Sequence, residues 1–353
     1  MMFQTKVFRL SIAALLILVF LSGCNHSVTP YLLAEWKIGN LKDMVWSPDS
    51  ETFVVNYWID NNEANNFVQA FSLKTLNSIW IAENSLAWDV VFTPDGKFIV
   101  ESNTNIPTFY WRSIEDGRII RKDERSENNK GCNGGGQVLI VNSQENTALL
   151  VNYGDLLGPS WNTHNIVVLR KYDFETGKCT DLFNYQGTFD LIELNSNGTL
   201  MAYGGEGKDD SVVIFDMEKQ IELCRIPQVE FGRFVPNENT LAVVREERMV
   251  FINAQTCKEI KELNVSPKSD YENYFAFNPN GKQFAIARDS IEIRDTGTGE
   301  IIAQIPFPDK AVPNSSKLFL SGIKFSPDGK YLLISYFPLD SVYSGQIQLW
   351  QLK

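Results

Sequence analysis

Lys324-Phe325-Ser326-Pro327-Asp328-Gly329-Lys330-Tyr331-Leu332-Leu333-Ile334 spells a strand, a tight reversal and a second strand. The proline fixes one φ and the glycine accepts a left-handed one, so the chain turns back sharply between two runs with β preference. The same phrase occurs upstream as Met44-Val45-Trp46-Ser47-Pro48-Asp49, Val91-Phe92-Thr93-Pro94-Asp95-Gly96 and Ala276-Phe277-Asn278-Pro279-Asn280-Gly281. Each copy precedes its own apolar run: Phe53-Val54-Val55, Phe98-Ile99-Val100 and Phe284-Ala285-Ile286.

The gaps between these copies hold degenerate ones. Ser143-Gln144-Glu145-Asn146 precedes Ala148-Leu149-Leu150-Val151, Asn195-Ser196-Asn197-Gly198 precedes Leu200-Met201-Ala202, and Pro236-Asn237-Glu238-Asn239 precedes Leu241-Ala242-Val243-Val244. With the second turn residue as marker (48, 94, 144, 196, 236, 279, 327), the spacings are 46, 50, 52, 40, 43 and 48. Seven units near this length are the period of propeller blades, each a four-stranded sheet. A second polar turn confirms the phase: Glu115-Asp116-Gly117-Arg118, Glu175-Thr176-Gly177-Lys178 and Asp295-Thr296-Gly297-Thr298-Gly299-Glu300.

The last unit stops after its third strand, Gln346-Ile347-Gln348-Leu349-Trp350, while Tyr31-Leu32-Leu33-Ala34-Glu35-Trp36-Lys37-Ile38 precedes the first marked turn as an outermost strand without a blade. Pairing the two closes the ring and hides both open edges. The expected fold is therefore an all-β, seven-bladed propeller over residues 31–353, sealed by the N-terminal strand in the C-terminal blade.

The Ser-Pro-Asp-Gly turns, the strand end at Leu349-Trp350 and the overlap of termini resemble WD40-like and TolB-like propellers. There are departures from those families. Neither histidine, His26 or His164, follows a glycine as in the Gly-His dipeptide of WD40 repeats, and the Ser-x-Asp-x-Gly box of sialidases is absent.

Ahead of the propeller, Lys6 and Arg9 lead into an apolar run from Leu10 to Leu21, then Ser22-Gly23-Cys24. This is the pattern of a secretory signal, residues 1–23. Its run would span about 18 Å as a helix, short of the roughly 30 Å hydrocarbon core. Leu21-Ser22-Gly23-Cys24 resembles the lipobox of bacterial lipoproteins, which implies lipidation of the Cys24 thiol and anchorage to the cell membrane or outer membrane. Asn25 after the cysteine, where Gram-negative families place an aspartate to retain a lipoprotein in the inner membrane, favours the outer one. Residues 24–30 would be a tether, reaching about 20 Å from the lipid to the first strand.

Without residues 1–23 the chain carries 30 basic and 43 acidic residues, a net charge of −13. Phosphate backbones repel such a surface, so nucleic acid is not an expected partner. Cys132, Cys179, Cys224 and Cys257 match no zinc spacing. Three of them fall on outer strands of different blades, which predicts separations too large for disulfides and a role as small buried hydrophobes.

Long polar connections fall at 58–66, 126–136, 154–165, 307–318 and 337–345. All belong to one face, here the upper face, and cluster from blade 7 round to blade 3. Long loops in a compact fold often carry function, and Trp58, Trp161, His164, Leu339 and Tyr343 within them are candidate binding-loop residues. Because the tether enters at the lower face, the loop-rich face is expected to point away from the membrane.

Catalysis finds little support in the residues. His164 lies near Ser160 without a Gly-x-Ser-x-Gly elbow, and two histidines cannot build the usual zinc sites. Asp60-Asn61-Asn62-Glu63 and Glu206-Gly207-Lys208-Asp209-Asp210 offer oxygen ligands for calcium without EF-hand order. The enzymatic alternative is a metal-dependent hydrolase of the lactonase-like propeller type using channel carboxylates. The inner strands, with Asp89, Glu193 and Lys324 scattered among apolar residues, favour a scaffold with no cofactor that binds an envelope protein or glycan.

Overall fold

A computed structural model describes residues 29–59, 66–85, 87, 89–102, 108–124, 136–142, 146–153, 166–186, 191–204, 211–229, 231–245, 248–265, 275–307, 318–338 and 345–352. It shows seven four-stranded antiparallel sheets arranged as a ring. The N-terminal strand β1 (Tyr31–Ile38) is followed by blade 1, composed of β2 (Asn40–Trp46), β3 (Thr52–Trp58), β4 (Asn66–Ser72) and β5 (Ser78–Glu83). Blade 2 holds β6 (Asp89–Phe92), β7 (Phe98–Ser102), β8 (Thr108–Ser113) and β9 (Ile119–Glu124), and blade 3 holds β10 (Gly136–Asn142), β11 (Thr147–Tyr153), β12 (Ile166–Asp173) and β13 (Cys179–Gln186). Blade 4 runs from β14 (Leu191–Leu194) through β15 (Leu200–Gly204) and β16 (Ser211–Asp216) to β17 (Ile221–Pro227). Blade 5 follows with β18 (Phe231–Phe234), β19 (Thr240–Arg245), β20 (Arg248–Asn253) and β21 (Lys258–Leu263). Blade 6 contains β22 (Phe275–Phe277), β23 (Gln283–Ala287), β24 (Ser290–Asp295) and β25 (Ile301–Pro306), and blade 7 contains β26 (Leu318–Phe325), β27 (Tyr331–Pro338) and β28 (Gly345–Gln351).

Blade 7 is completed by β1, in the order β1-β28-β27-β26, as the sequence predicts. Tyr31 pairs with Gln351 and Ile38 with Gly345, so the first strand and the last seal the ring. Every marked turn of the sequence joins the innermost strand of a blade to its second strand. In blades 1, 2 and 7 these turns share a device: in blade 1 the Thr52 amide donates to the Ser47 hydroxyl at 2.9 Å, and that hydroxyl donates to Asp49 at 2.6 Å, as Thr93 does to Asp95 and Ser326 to Asp328.

Seven apolar clusters lie between neighbouring sheets, one at each blade interface. Between blades 1 and 7, for example, Phe53 and Phe71 pack against Leu333, Ile347 and Leu349. Each second strand is buried on both faces, as in β15, where all five residues are buried. This explains why the runs after the turns are continuously apolar rather than alternating.

The turn between third and outer strand is tied to the inner turn of its own blade. Leu73, Ile114, Phe174, Met217, Ala254, Thr296 and Leu352 each donate a backbone N–H to it, at 2.7–3.0 Å. Beyond it every outer strand carries an irregularity at one equivalent position, leaving Leu33, Ile79, Ile120, Leu182, Leu223, Ile260 and Ile302 unpaired. The residue after this bulge reaches the next blade. Trp80 donates its indole N–H to the Ile114 carbonyl at 2.7 Å, the Arg121 guanidinium donates to the Phe174 carbonyl, and the Lys261 ammonium donates to the Thr296 carbonyl.

At the same latch position in blade 4 stands Cys224, which forms a disulfide with Cys257 in the outer turn of blade 5, with a Cα–Cα distance of 6.1 Å. Cys179 is disulfide-bonded too, whereas Cys132 lies outside the described residues. The expectation that outer-strand cysteines stand too far apart is corrected here. Cys257 stands in the outer turn of blade 5, and the residue after the bulge in the preceding blade meets that turn within disulfide reach.

Candidate functional site

The inner strands β2, β6, β10, β14, β18, β22 and β26 surround a central channel. Their burial alternates with the pleat: Met44 and Trp46 are buried between blades while Asp43 and Val45 are half-buried on the channel side, and Val90 is buried while Asp89 and Val91 are not. Three residues before the turn marker, the described blades contribute Val45, Val91, Glu193, Arg233, Ala276 and Lys324 to one level. Two residues nearer the upper mouth stand Asp43 and Asp89.

Opposite charges on this wall neutralise one another. Arg233 of blade 5 pairs with Glu193 of blade 4 at 3.0 Å and also donates to the Phe275 carbonyl of blade 6 at 3.3 Å. Lys324 of blade 7 donates to Asp43 of blade 1 at 3.0 Å. Burial pushes the Glu193 carboxyl up from its ordinary value, and the charges of Arg233 and Lys324 pull against that rise.

Asp89 enters the channel at the end of the connection from blade 1, and a buried polar network fixes that connection. Asn56 and Asn66 both donate their amides to the Ala87 carbonyl, and Ser85 donates its hydroxyl to Glu101 at 3.2 Å. Glu101 is itself held by Arg112, whose guanidinium donates to both carboxylate oxygens and to the Gly117 carbonyl. Ser85, Asn56, Asn66, Glu101 and Arg112 are all buried. Buried polar groups paired in this way rigidify their surroundings.

Among the candidate binding-loop residues, Trp58 is described. It ends β3 opposite Asn40 and Asn66, and the Lys42 ammonium sits 4.6 Å from its ring centroid, so its ring lies along the upper edge of its own blade. Trp161, His164, Leu339 and Tyr343 lie outside the described residues, as do Cys24, the tether up to residue 28 and the acidic runs at 60–63 and 206–210. The strand ends that bracket the long connections are Trp58 and Asn66, Tyr153 and Ile166, and Pro338 and Gly345.

Asp43 and Arg233 are channel residues that the sequence reading did not single out. The repeat marker could have found them, because Arg233 occupies the register of Glu193 and Lys324, and Asp43 that of Asp89. Among the described residues no group of three or more His, Cys, Asp or Glu converges to hold a metal ion. The described channel wall is thus a ring of apolar groups crossed by paired charges. No protein-family model matches the chain, and no curated protein matches it in sequence.

Proposed function

We propose that the protein is an exported lipoprotein, anchored through Cys24, whose propeller presents its loop-rich upper face to a protein or glycan partner at the cell envelope. The observation that carries the binding reading is the mutual pairing of channel charges, Arg233 with Glu193 and Lys324 with Asp43. A wall that neutralises itself is a strut between blades, which leaves recognition to the surface loops. Tryptophan and tyrosine in those loops have the chemistry of interface anchors.

The disulfide between Cys224 and Cys257 supports export independently of the leader. Such bonds persist in oxidising compartments and are rare where thioredoxin and glutathione keep thiols reduced. The partner would sit over the sector from blade 7 round to blade 3; a further long connection, 264–274, joins blade 5 to blade 6 outside that sector.

The test places a photo-reactive amino acid at Trp161, expresses the protein with its own leader, and crosslinks intact cells. One recurrent envelope partner, lost when residues 154–165 are shortened, supports the proposal. Crosslinks that vary from one preparation to the next, or a chain that remains cytosolic and unlipidated with Cys24 intact, overturn it.

A further inference from the structure

Between blades 5 and 6 a crevice of about 370 Å³ opens on the face of the inner turns, opposite the long connections, and Val235, Glu238, Ile260, Lys261, Lys282 and Thr296 are among its lining. A counterpart of about 300 Å³ lies one interface earlier, between blades 4 and 5. The two differ in how their lysines are satisfied. Lys219 in the blade 4–5 crevice is paired with Asp216 at 2.8 Å. Lys261 meets the Thr296 carbonyl and the face of Phe251, 4.2 Å from the ring centroid, and has no ion-pair partner among the described residues.

Two departures from the sevenfold repeat coincide here. The latch position is Trp80, Arg121, Phe183, Cys224, Ala303 and Ala34 in the other blades, and only blade 5 places a lysine there. The position of Thr296 is apolar in the other six, as Leu73, Ile114, Phe174, Met217, Ala254 and Leu352. Thr296 is buried, and its hydroxyl has no hydrogen-bond partner. An unmet buried hydroxyl is costly, and a threonine in an apolar series gains nothing from packing that valine would not supply.

We propose that this crevice binds a small aliphatic monocarboxylate, with the carboxylate on the Lys261 ammonium and the tail against Val235 and Ile260. The Thr296 hydroxyl, unpartnered in the residue whose carbonyl already meets the Lys261 ammonium, is the donor for the second carboxylate oxygen. Glu238 and Asp295, which also line the crevice, repel a second negative charge, so the site prefers a monoanion to a dianion. The burial that lowers the affinity of Lys261 for its proton, against the pull of Glu238 and Asp295, is offset when the carboxylate arrives.

The test titrates the full mature protein with 4-methylpentanoate, observing the Ile260 methyl resonances, with succinate and inorganic phosphate as dianion probes. A saturable shift is expected, with a dissociation constant on the order of a millimolar for a ligand of this size. Thr296→Val should weaken binding about fivefold, and Lys261→Met should abolish it. Lys219→Met, in the equivalent crevice, should leave it unchanged. Since Lys261→Met also removes a latch between blades, Thr296→Val, which keeps the backbone carbonyl, is the deciding variant. No saturable shift, tighter binding of either dianion, or unchanged affinity in Thr296→Val overturns the proposal.

Discussion

Asp49 and Asp95 sit in exposed turns, yet hydrogen bonds from Ser47 and Thr93 hold their carboxyls below the usual aspartate range. A depressed carboxyl stabilises the fold above its unfolded value, 3.8 for aspartate, and that contribution disappears as pH falls through the folded value. Ser47→Ala should therefore raise the Asp49 titration midpoint towards the ordinary range, a change read from its carboxyl carbon resonance, and the variant should unfold at a higher pH in an acid titration. Tyr57 behaves in the opposite sense. Burial, aided by the Glu83 charge, pushes its hydroxyl up to about 12, so its contribution is complete below the ordinary tyrosine value of 10.0 and is lost as pH rises through about 12. Ultraviolet titration should show Tyr57 ionising after the exposed tyrosines, and Tyr57→Phe should remove that late step. A third residue-scale case is the buried pair of Arg112 with Glu101. Arg112→Met alone leaves a buried carboxylate without its cation and should cost about 3–5 kcal/mol in urea unfolding, while adding Glu101→Leu should recover most of the loss. The turn aspartates were legible in the sequence because their partners lie two residues away. Glu101 and Arg112 were not, because the pairing of β7 with β8 brings them together.

The outer strand is the element where sequence and structure diverge. Its existence could be read from the polar turn before it, but its bulge could not, since Ile79, Ile120 and Ile260 look like ordinary members of an alternating strand. That bulge governs how blades are latched, and overlooking it led to the expectation of free cysteines. Reducing the bond between Cys224 and Cys257, or replacing both by serine, should lower stability by about 3 kcal/mol for a closure of 33 residues, with the loss localised by hydrogen exchange to blades 4 and 5. The latch between blades 1 and 2 makes its own demand. Gly117 has φ of +73°, and a Cβ there would stand 2.7 Å from the Trp80 ring. Gly117→Ala combines a left-handed alanine, about 1–2 kcal/mol, with displacement of the indole that donates to Ile114. The expected outcome is a shifted tryptophan emission maximum and a urea midpoint lower than either effect alone would produce.

At the scale of the whole molecule, the seven turn markers located every blade, and the missing strand at one end of the chain identified its substitute at the other. Spacing made this legible because each blade repeats one solution to the same packing problem. The channel was legible only in part, since Arg233 and Glu193 belong to degenerate repeats whose register is clear once Lys324 is set beside them. Closure rests on β1, which pairs with β28 along its length and lays Trp36 against Phe53 and Phe71 of blade 1, with ring centroids 5.4 and 4.9 Å apart. Deleting residues 31–38 should abolish the single cooperative unfolding transition and produce association through the exposed edge of β28, measured by calorimetry and light scattering. Synthesis runs from the N-terminus, so the strand made first must wait for the strand made last. A message cut short, or a ribosome that stalls within the seventh repeat, yields a product with two raw edges that quality-control proteases can find. A sealed ring thus certifies that the message was read through to its seventh repeat.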